Sequence, residues 1–183
     1  MFDYYKDSIK CLTYVKNKSD GHYKHLFDFV DRDIQNKIIT RGDIYNYISE
    51  ADIIICCTPS LEPLFDSSKV KSDVHLVLVG SYKPEMQEVD TLAIRNAIGS
   101  IIVDSRHDCS REAGEFINAH VDLSRHSNQA YELGYLLNQT QSVIKNGVSI
   151  YKSVGIGIQD SSIARLIVDK SKQMKIGQNI DFN

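Results

Sequence analysis

Apolar runs that stop at small or polar loops recur along the chain and lay out its elements. Residues 53–57 read Ile-Ile-Ile-Cys-Cys, an unbroken apolar run rich in β-branched side chains. Such a run predicts a strand buried on both faces, as in a parallel sheet with helices above and below. Pro59 ends it, because proline cannot donate to a central ladder. Residues 74–79, closed by Gly80, and residues 100–104 predict two more buried strands. Residues 8–15 alternate apolar and polar positions and predict a fourth, with short strands over 37–40 and 148–152.

Helical spacing fills the intervals. Leu26, Phe27 and Val30 share a face over 22–30, and Ile44, Tyr45 and Ile48 share one over 42–50. Further helices are predicted over 90–98, 110–118 and 128–138, with a helical turn over 66–70 and the tail of a helix over 2–6. A long helix begins at Gly157, with Ile163, Ala164, Ile167 and Val168 facing inward. Strands alternating with helices at this density predict a doubly wound α/β domain. Residues 1–171 are assigned to it and 172–183 to a C-terminal tail.

Composition narrows the function classes. A length of 183 residues suits one domain with a sizeable core. A formal net charge of −3 gives no electrostatic attraction to nucleic acid or to an anionic membrane. No apolar run approaches the ~20 residues that span a bilayer, and the first residues lack the pattern of a secretion signal. Cys11, Cys56, Cys57 and Cys109 lack paired metal-ligand spacing, and two lie side by side in an apolar run. They are expected to be reduced, space-filling thiols of a cytoplasmic protein. His22 and His25 lack further ligands for a metal, and His107 with Cys109 lacks a third group for nucleophilic catalysis. No metal site is expected. Glu112 and Glu115 read as a solvated or domain-facing helix edge.

In open α/β sheets ligands bind beyond the carboxyl ends of strands, which directs attention to Thr58, Pro59 and Ser60. A strand-terminating turn explains the same residues. The glycine-rich turn that grips a dinucleotide pyrophosphate does not precede the strand at 8–15. Gly155-Ile156-Gly157 lies between a strand and a helix, but Asp160 stands where a third small residue belongs.

Four stretches in order carry a family resemblance: residues 51–60, ending Thr58-Pro59-Ser60; residues 79–90, Val-Gly-Ser-Tyr-Lys-Pro-Glu-Met-Gln-Glu-Val-Asp; Val103-Asp104-Ser105-Arg106 with Glu112-Ala113-Gly114-Glu115; and Tyr151-Lys152-Ser153-Val154-Gly155 with Ile158-Gln159-Asp160. Together they resemble the ornithine cyclodeaminase/mu-crystallin family over residues 8–171. The resemblance implies NAD(P)-linked chemistry on an amino acid or cyclic imine, and a Rossmann-type parallel sheet that is incomplete here. The first strand, its glycine-rich loop and the family's N-terminal substrate domain have no counterpart in these residues. In the usual strand order that first strand lies between the strands at 8–15 and 53–57. The expectation is a chain that is not active alone and that associates, as a homo-oligomer or with a complementary chain, to cover the gap. A non-catalytic remnant or interaction subunit is the alternative.

By the same resemblance, Thr58, Pro59 and Ser60 pass along the cofactor's ribose and nicotinamide. Gly80, Ser81 and Tyr82 occupy the loop where ornithine-type members carry a catalytic aspartate two residues before the proline. Here that position is Tyr82, and Met86 replaces the lysine expected after Pro84. A tyrosine, with a reference pKa of about 10, is a poor substitute for a carboxylate near neutral pH. The departure implies imine reduction rather than ornithine cyclisation, and no catalytic residue is assigned. Lys16, Asn17 and Lys18 stand where an acid would hold the ribose of NAD, so NADP is the preferred cofactor over NAD; a solvated turn explains them equally well. Ser153 corresponds to a position near the nicotinamide, or caps the following helix.

Overall fold

The computed structural model describes residues 8–15, 38–41, 44–123, 130–138, 146–178 and 180. The chain forms two compact units, residues 1–51 with 69–71, and residues 52–68 with 72–183. The expected helix over 22–30, the helix tail over 2–6 and the Lys16, Asn17 and Lys18 turn lie outside the described residues.

In the first unit β1 (Leu12–Val15) and β2 (Ile38–Arg41) pair in parallel, with Leu12 opposite Ile38 and Val15 opposite Arg41. The helix expected over 42–50 is only a 3-10 turn, Ile44–Asn46, continued by turns. Ile48 is buried as the pattern predicts, but Tyr45 is exposed, with the Lys69 ammonium 4.9 Å from its ring centroid. β-Branched and aromatic residues lose side-chain freedom in a helix, and a run this short does not sustain one.

The second unit holds five parallel strands: β3 (Ile53–Cys56), β4 (His75–Leu78), β5 (Ile101–Val103), β6 (Ala130–Glu132) and β7 (Ser149–Lys152), in the order β3-β4-β7-β5-β6. The last strand in sequence is therefore the central one. Its helices are α1 (Thr91–Asn96), α2 (Arg106–Glu112), α3 (Gly114–Asn118), α4 (Leu133–Leu136) and α5 (Gly157–Met174). Asp90 caps α1, one carboxylate oxygen accepting from the Ala93 N–H at 3.0 Å and the other from the Ser67 N–H at 3.0 Å. The helix expected over 110–118 is instead two, broken where Ala113 turns extended. Gly114 follows because a Cβ there would overlap the carbonyl oxygens of Pro84 and Met86. The helix expected over 128–138 is β6 followed by one helical turn. Pairing of Ala130 to Glu132 with β5 overrides helix propensity, and the buried Arg106 locks it by donating to the Ala130 and Leu123 carbonyls at 2.7 and 3.1 Å.

Strand register sorts the sheet into two unlike faces. One presents the rows Ile54–Leu76–Ile150–Ile101–Ala130 and Cys56–Leu78–Lys152–Val103–Glu132, and all of these but Ile54 and Glu132 are buried. The other presents Ile55–Val77–Tyr151–Ile102–Tyr131, each exposed or half-buried. The strand at 53–57 is therefore not buried on both faces. It forms one edge of the sheet, with Ile53 60% and Ile55 48% exposed. The inward stripe expected on α5 is likewise not inward: Ile163, Ala164, Ile167 and Val168 are all exposed. No residue of α5 is buried.

The thiols divide along the same line. Cys56 and Cys109 are buried, whereas Cys57 and Cys11 are exposed, which corrects the expectation of two adjacent buried thiols. Burial, with Glu88 close to Cys56 and Asp104 close to Cys109, pushes both interior thiols far above the ordinary value; burial also raises Cys57. A raised thiol pKa means less thiolate at neutral pH. We expect an aromatic disulfide reagent to label Cys11 and Cys57 in the native chain, Cys57 more slowly than an unperturbed thiol. Cys56 and Cys109 should react only on unfolding, and rapid native labelling of all four would contradict this packing.

Candidate functional site

At the carboxyl end of a parallel strand the last backbone N–H groups run out of ladder partners. Here three carboxylates organise the strand ends. Glu88, fully buried, accepts from the Thr58 N–H at 2.7 Å and the Thr58 hydroxyl at 3.2 Å with one oxygen. Its other oxygen accepts from the Gly80 N–H at 2.8 Å. One side chain thus ties the end of β3 to the end of β4. Gly80 is required for that approach, since a Cβ there would overlap the Thr58 backbone and lie 2.5 Å from Glu88 Oε1.

Asp104 does the same beyond β5 and β7. Its Oδ2 accepts from the Ser153 hydroxyl at 2.7 Å and from the Val154 and Gly155 N–H groups at 3.1 Å each. Its Oδ1 accepts from the Ser105 N–H at 2.8 Å and, at 3.4 Å, from the Cys109 thiol. Gly155 permits the turn with φ of 84°. The thiol is a donor here, so Cys109 is no thiolate partner for His107, which instead lies 3.3 Å from Arg111 Nη1.

The third carboxylate is Glu115, fully buried on α3, so it is not a solvated helix edge. It pairs at 3.4 Å with Lys152 Nζ, which is also fully buried and projects from β7 between Leu78 and Val103. Lys152 donates further to the Ser81 carbonyl and hydroxyl at 2.5 Å each, and the Ser81 hydroxyl donates to Glu115 Oε1 at 2.5 Å.

The strand ends therefore bring Thr58, Pro59, Ser60, Gly80, Ser81, Tyr82 and Ser153 to one rim of the second unit. Thr58, Pro59 and Tyr82 are exposed, Ser60, Gly80 and Ser153 are half-buried, and Ser81 is buried. Their donors are largely committed within the protein. The Ser60 hydroxyl donates to the Glu62 carbonyl at 2.6 Å, and Ser153 is held by Asp104 rather than capping α5, whose N-cap is Ile156 with no side-chain cap. Sequence reasoning missed Glu88, Asp104, Glu115 and Lys152. One signal was present: Lys152 is in phase with the inward-facing Ile150.

Residues 13–175 match the ornithine cyclodeaminase/mu-crystallin family. The chain belongs to that family. A Delta(1)-pyrroline-2-carboxylate reductase of Bacillus cereus is 32% identical over 138 residues, which are 74% of this chain and 42% of that protein. The ketimine reductase mu-crystallin of Mus musculus is 26% identical over 136 residues, 74% of this chain and 41% of that protein. A solved structure, Thermococcus litoralis Delta(1)-pyrroline-2-carboxylate reductase in complex with NADH and L-proline, superposes with a TM-score of 0.74 at 21% identity. That match covers 92% of this chain and 52% of that one. The chain thus spans less than half the length of these curated relatives, and the family's α/β, Rossmann-like sheet is the fold seen here. Among the described residues no helix is long and apolar enough to cross a membrane.

Gly80→Ala should destabilise the second unit by roughly 2–4 kcal/mol, because backbone and a buried carboxylate must move to admit the methyl group. Gly134→Ala, in α4 where a Cβ meets open space, should be neutral or stabilise by up to about 1 kcal/mol. Thermal unfolding of the two variants checks the pair; equal midpoints would remove the close approach at Gly80 from the account.

Proposed function

We propose that this span forms the nicotinamide-facing rim of an imine reductase of the ornithine cyclodeaminase/mu-crystallin family, acting on a cyclic imine or the related amino acid. The observation that carries the reading is the rim itself: three strand-end loops, held by Glu88, Asp104 and Glu115, that stand together with exposed Pro59 and Tyr82. Both relatives above are named as reductases, one of a pyrroline and one of a ketimine. A nicotinamide bound there would supply hydride to the imine carbon. Thr58, Pro59 and Ser60 would flank its ribose, Gly80, Ser81 and Tyr82 the reacting side, and Ser153 the carboxamide end.

Tyr82 in place of an aspartate favours reduction over ornithine cyclisation. Glu88 and Asp104 are held by backbone N–H groups and side-chain donors and Glu115 is fully buried beside Lys152, so we assign the proton for reduction to none of them. Lys16 and Lys18 support NADP over NAD. By the family resemblance the glycine-rich phosphate loop has no counterpart in this sequence, so this chain by itself should hold nucleotide weakly. An amide chemical-shift titration with NADPH and with NADH tests each part. The expected shifts fall at 57–61, 80–83 and 153–155 with a millimolar dissociation constant, NADPH binding more tightly. No shift at those loops would sink the reading of the rim, and equal affinities would sink the NADP preference. Micromolar binding would show that the phosphate half is present after all.

The exposed β3 edge and the uncovered α5 stripe support a second element of the proposal, that the chain associates through a second copy or a complementary chain. They equally favour the alternative of a non-catalytic interaction subunit, which predicts association without any nucleotide-induced shift. Sedimentation velocity over a range of concentrations should show mass above that of one chain. A monomer at every concentration that unfolds in one sharp transition would count against association.

A further inference from the structure

A lysine in the buried row of a central strand is an expensive choice. Desolvating an ammonium and a carboxylate is seldom recovered by their mutual attraction, and apolar replacements of a buried pair are often neutral or better for stability. The Lys152–Glu115 pair is not optimised for stability either, since Glu115 Oε2 is buried without a hydrogen-bond partner among the described residues. Yet all three protons of the Lys152 ammonium are used, and two go to one residue, Ser81, through its carbonyl and its hydroxyl. The Ser81 hydroxyl then donates its own proton to Glu115. Ser81 is therefore fixed in both backbone and side chain. Its neighbours are fixed differently: Gly80 by Glu88, while Tyr82 is exposed at the rim with the Lys83 ammonium 5.7 Å from its ring centroid.

We propose that Lys152, acting with Glu115, is a positioning residue. Its buried ammonium clamps Ser81 and so sets where the next residue, Tyr82, stands on the rim. This rests on the reading of that rim as the nicotinamide-facing side, but the clamp itself is testable without any nucleotide. Lys152 is fully buried, so its influence on Tyr82 runs through Ser81, the rim residue that it contacts.

Hydrogen exchange by mass spectrometry on the full chain, without nucleotide, reads the clamp. The variant carrying K152M and E115Q removes both charges together and so leaves no lone buried ion. In it the amides of 79–83 should exchange on the order of tenfold faster, with the amides of α1 and β5 unchanged. Unchanged protection at 79–83 in this variant would overturn the proposal. If the double variant loses cooperative unfolding, S81A decides, because it keeps the ion pair and removes only the bridging hydroxyl. A severalfold rise confined to 79–83 supports the clamp, and no rise overturns it. NADPH titration adds a readout that general loosening would not reproduce. The shift at Tyr82 should shrink while those at Thr58 and Ser153 persist, whereas uniform loss at all three loops would overturn a specific role. Absence of any NADPH shift in the unmodified chain would bear on the functional reading alone, leaving the exchange result to decide the clamp.

Discussion

Strands in a parallel sheet all finish at the same edge, and each finishes with N–H groups that no neighbour can accept. Left alone, those groups would bind water and let the connecting loops wander. In this chain they are gathered by carboxylates. Glu88 joins the ends of β3 and β4, and Asp104 collects five donors beyond β5 and β7. Charge-assisted bonds of this kind are worth roughly 1.5–3 kcal/mol each, and the placement of the rim depends on them. The close approach at Gly80, the break between α2 and α3 at Ala113 and the opposition of Gly114 to the 84–86 loop all serve the same gathering.

The parallel sheet was legible in the apolar runs because residues 74–79, 100–104 and 148–152 lie at its centre or next to it. Burial there depends only on neighbouring strands and on the helices of one face. What those runs did not reveal was which faces are covered. Ile53 and Ile55 have the composition of a doubly buried strand, yet they sit at an edge, and edge position is a property of strand order rather than of local sequence. β6 shows the same limit from the other side. Its residues read as helix until Arg106, more than twenty positions earlier, reaches the Ala130 carbonyl.

The candidate site was legible in outline and not in its supports. Thr58, Gly80, Tyr82 and Ser153 follow the ends of β3, β4 and β7, as the apolar runs stopping at polar loops imply. Glu88, Glu115 and Asp104 were passed over because a carboxylate in a polar stretch is normally solvated. Glu88 and Glu115 are buried against partners distant in sequence, Thr58 for Glu88 and Lys152 for Glu115, and such pairs are invisible without the fold. Lys16, Asn17 and Lys18 lie outside the described residues, so the basis for preferring NADP is a sequence argument.

The commitment of donors around the rim bears on how a planar ring would be received. The hydroxyls of Thr58, Ser60 and Ser153 already hold protein acceptors, so a ring settling beside them strips little water from these groups. The loops that carry them are anchored at their bases, and ordering them costs little entropy on arrival. Contact of that kind is governed by shape and stacking area. On the proposed nicotinamide-facing reading, such a rim would favour flat, weakly hydrated faces over ligands that need new hydrogen bonds from it.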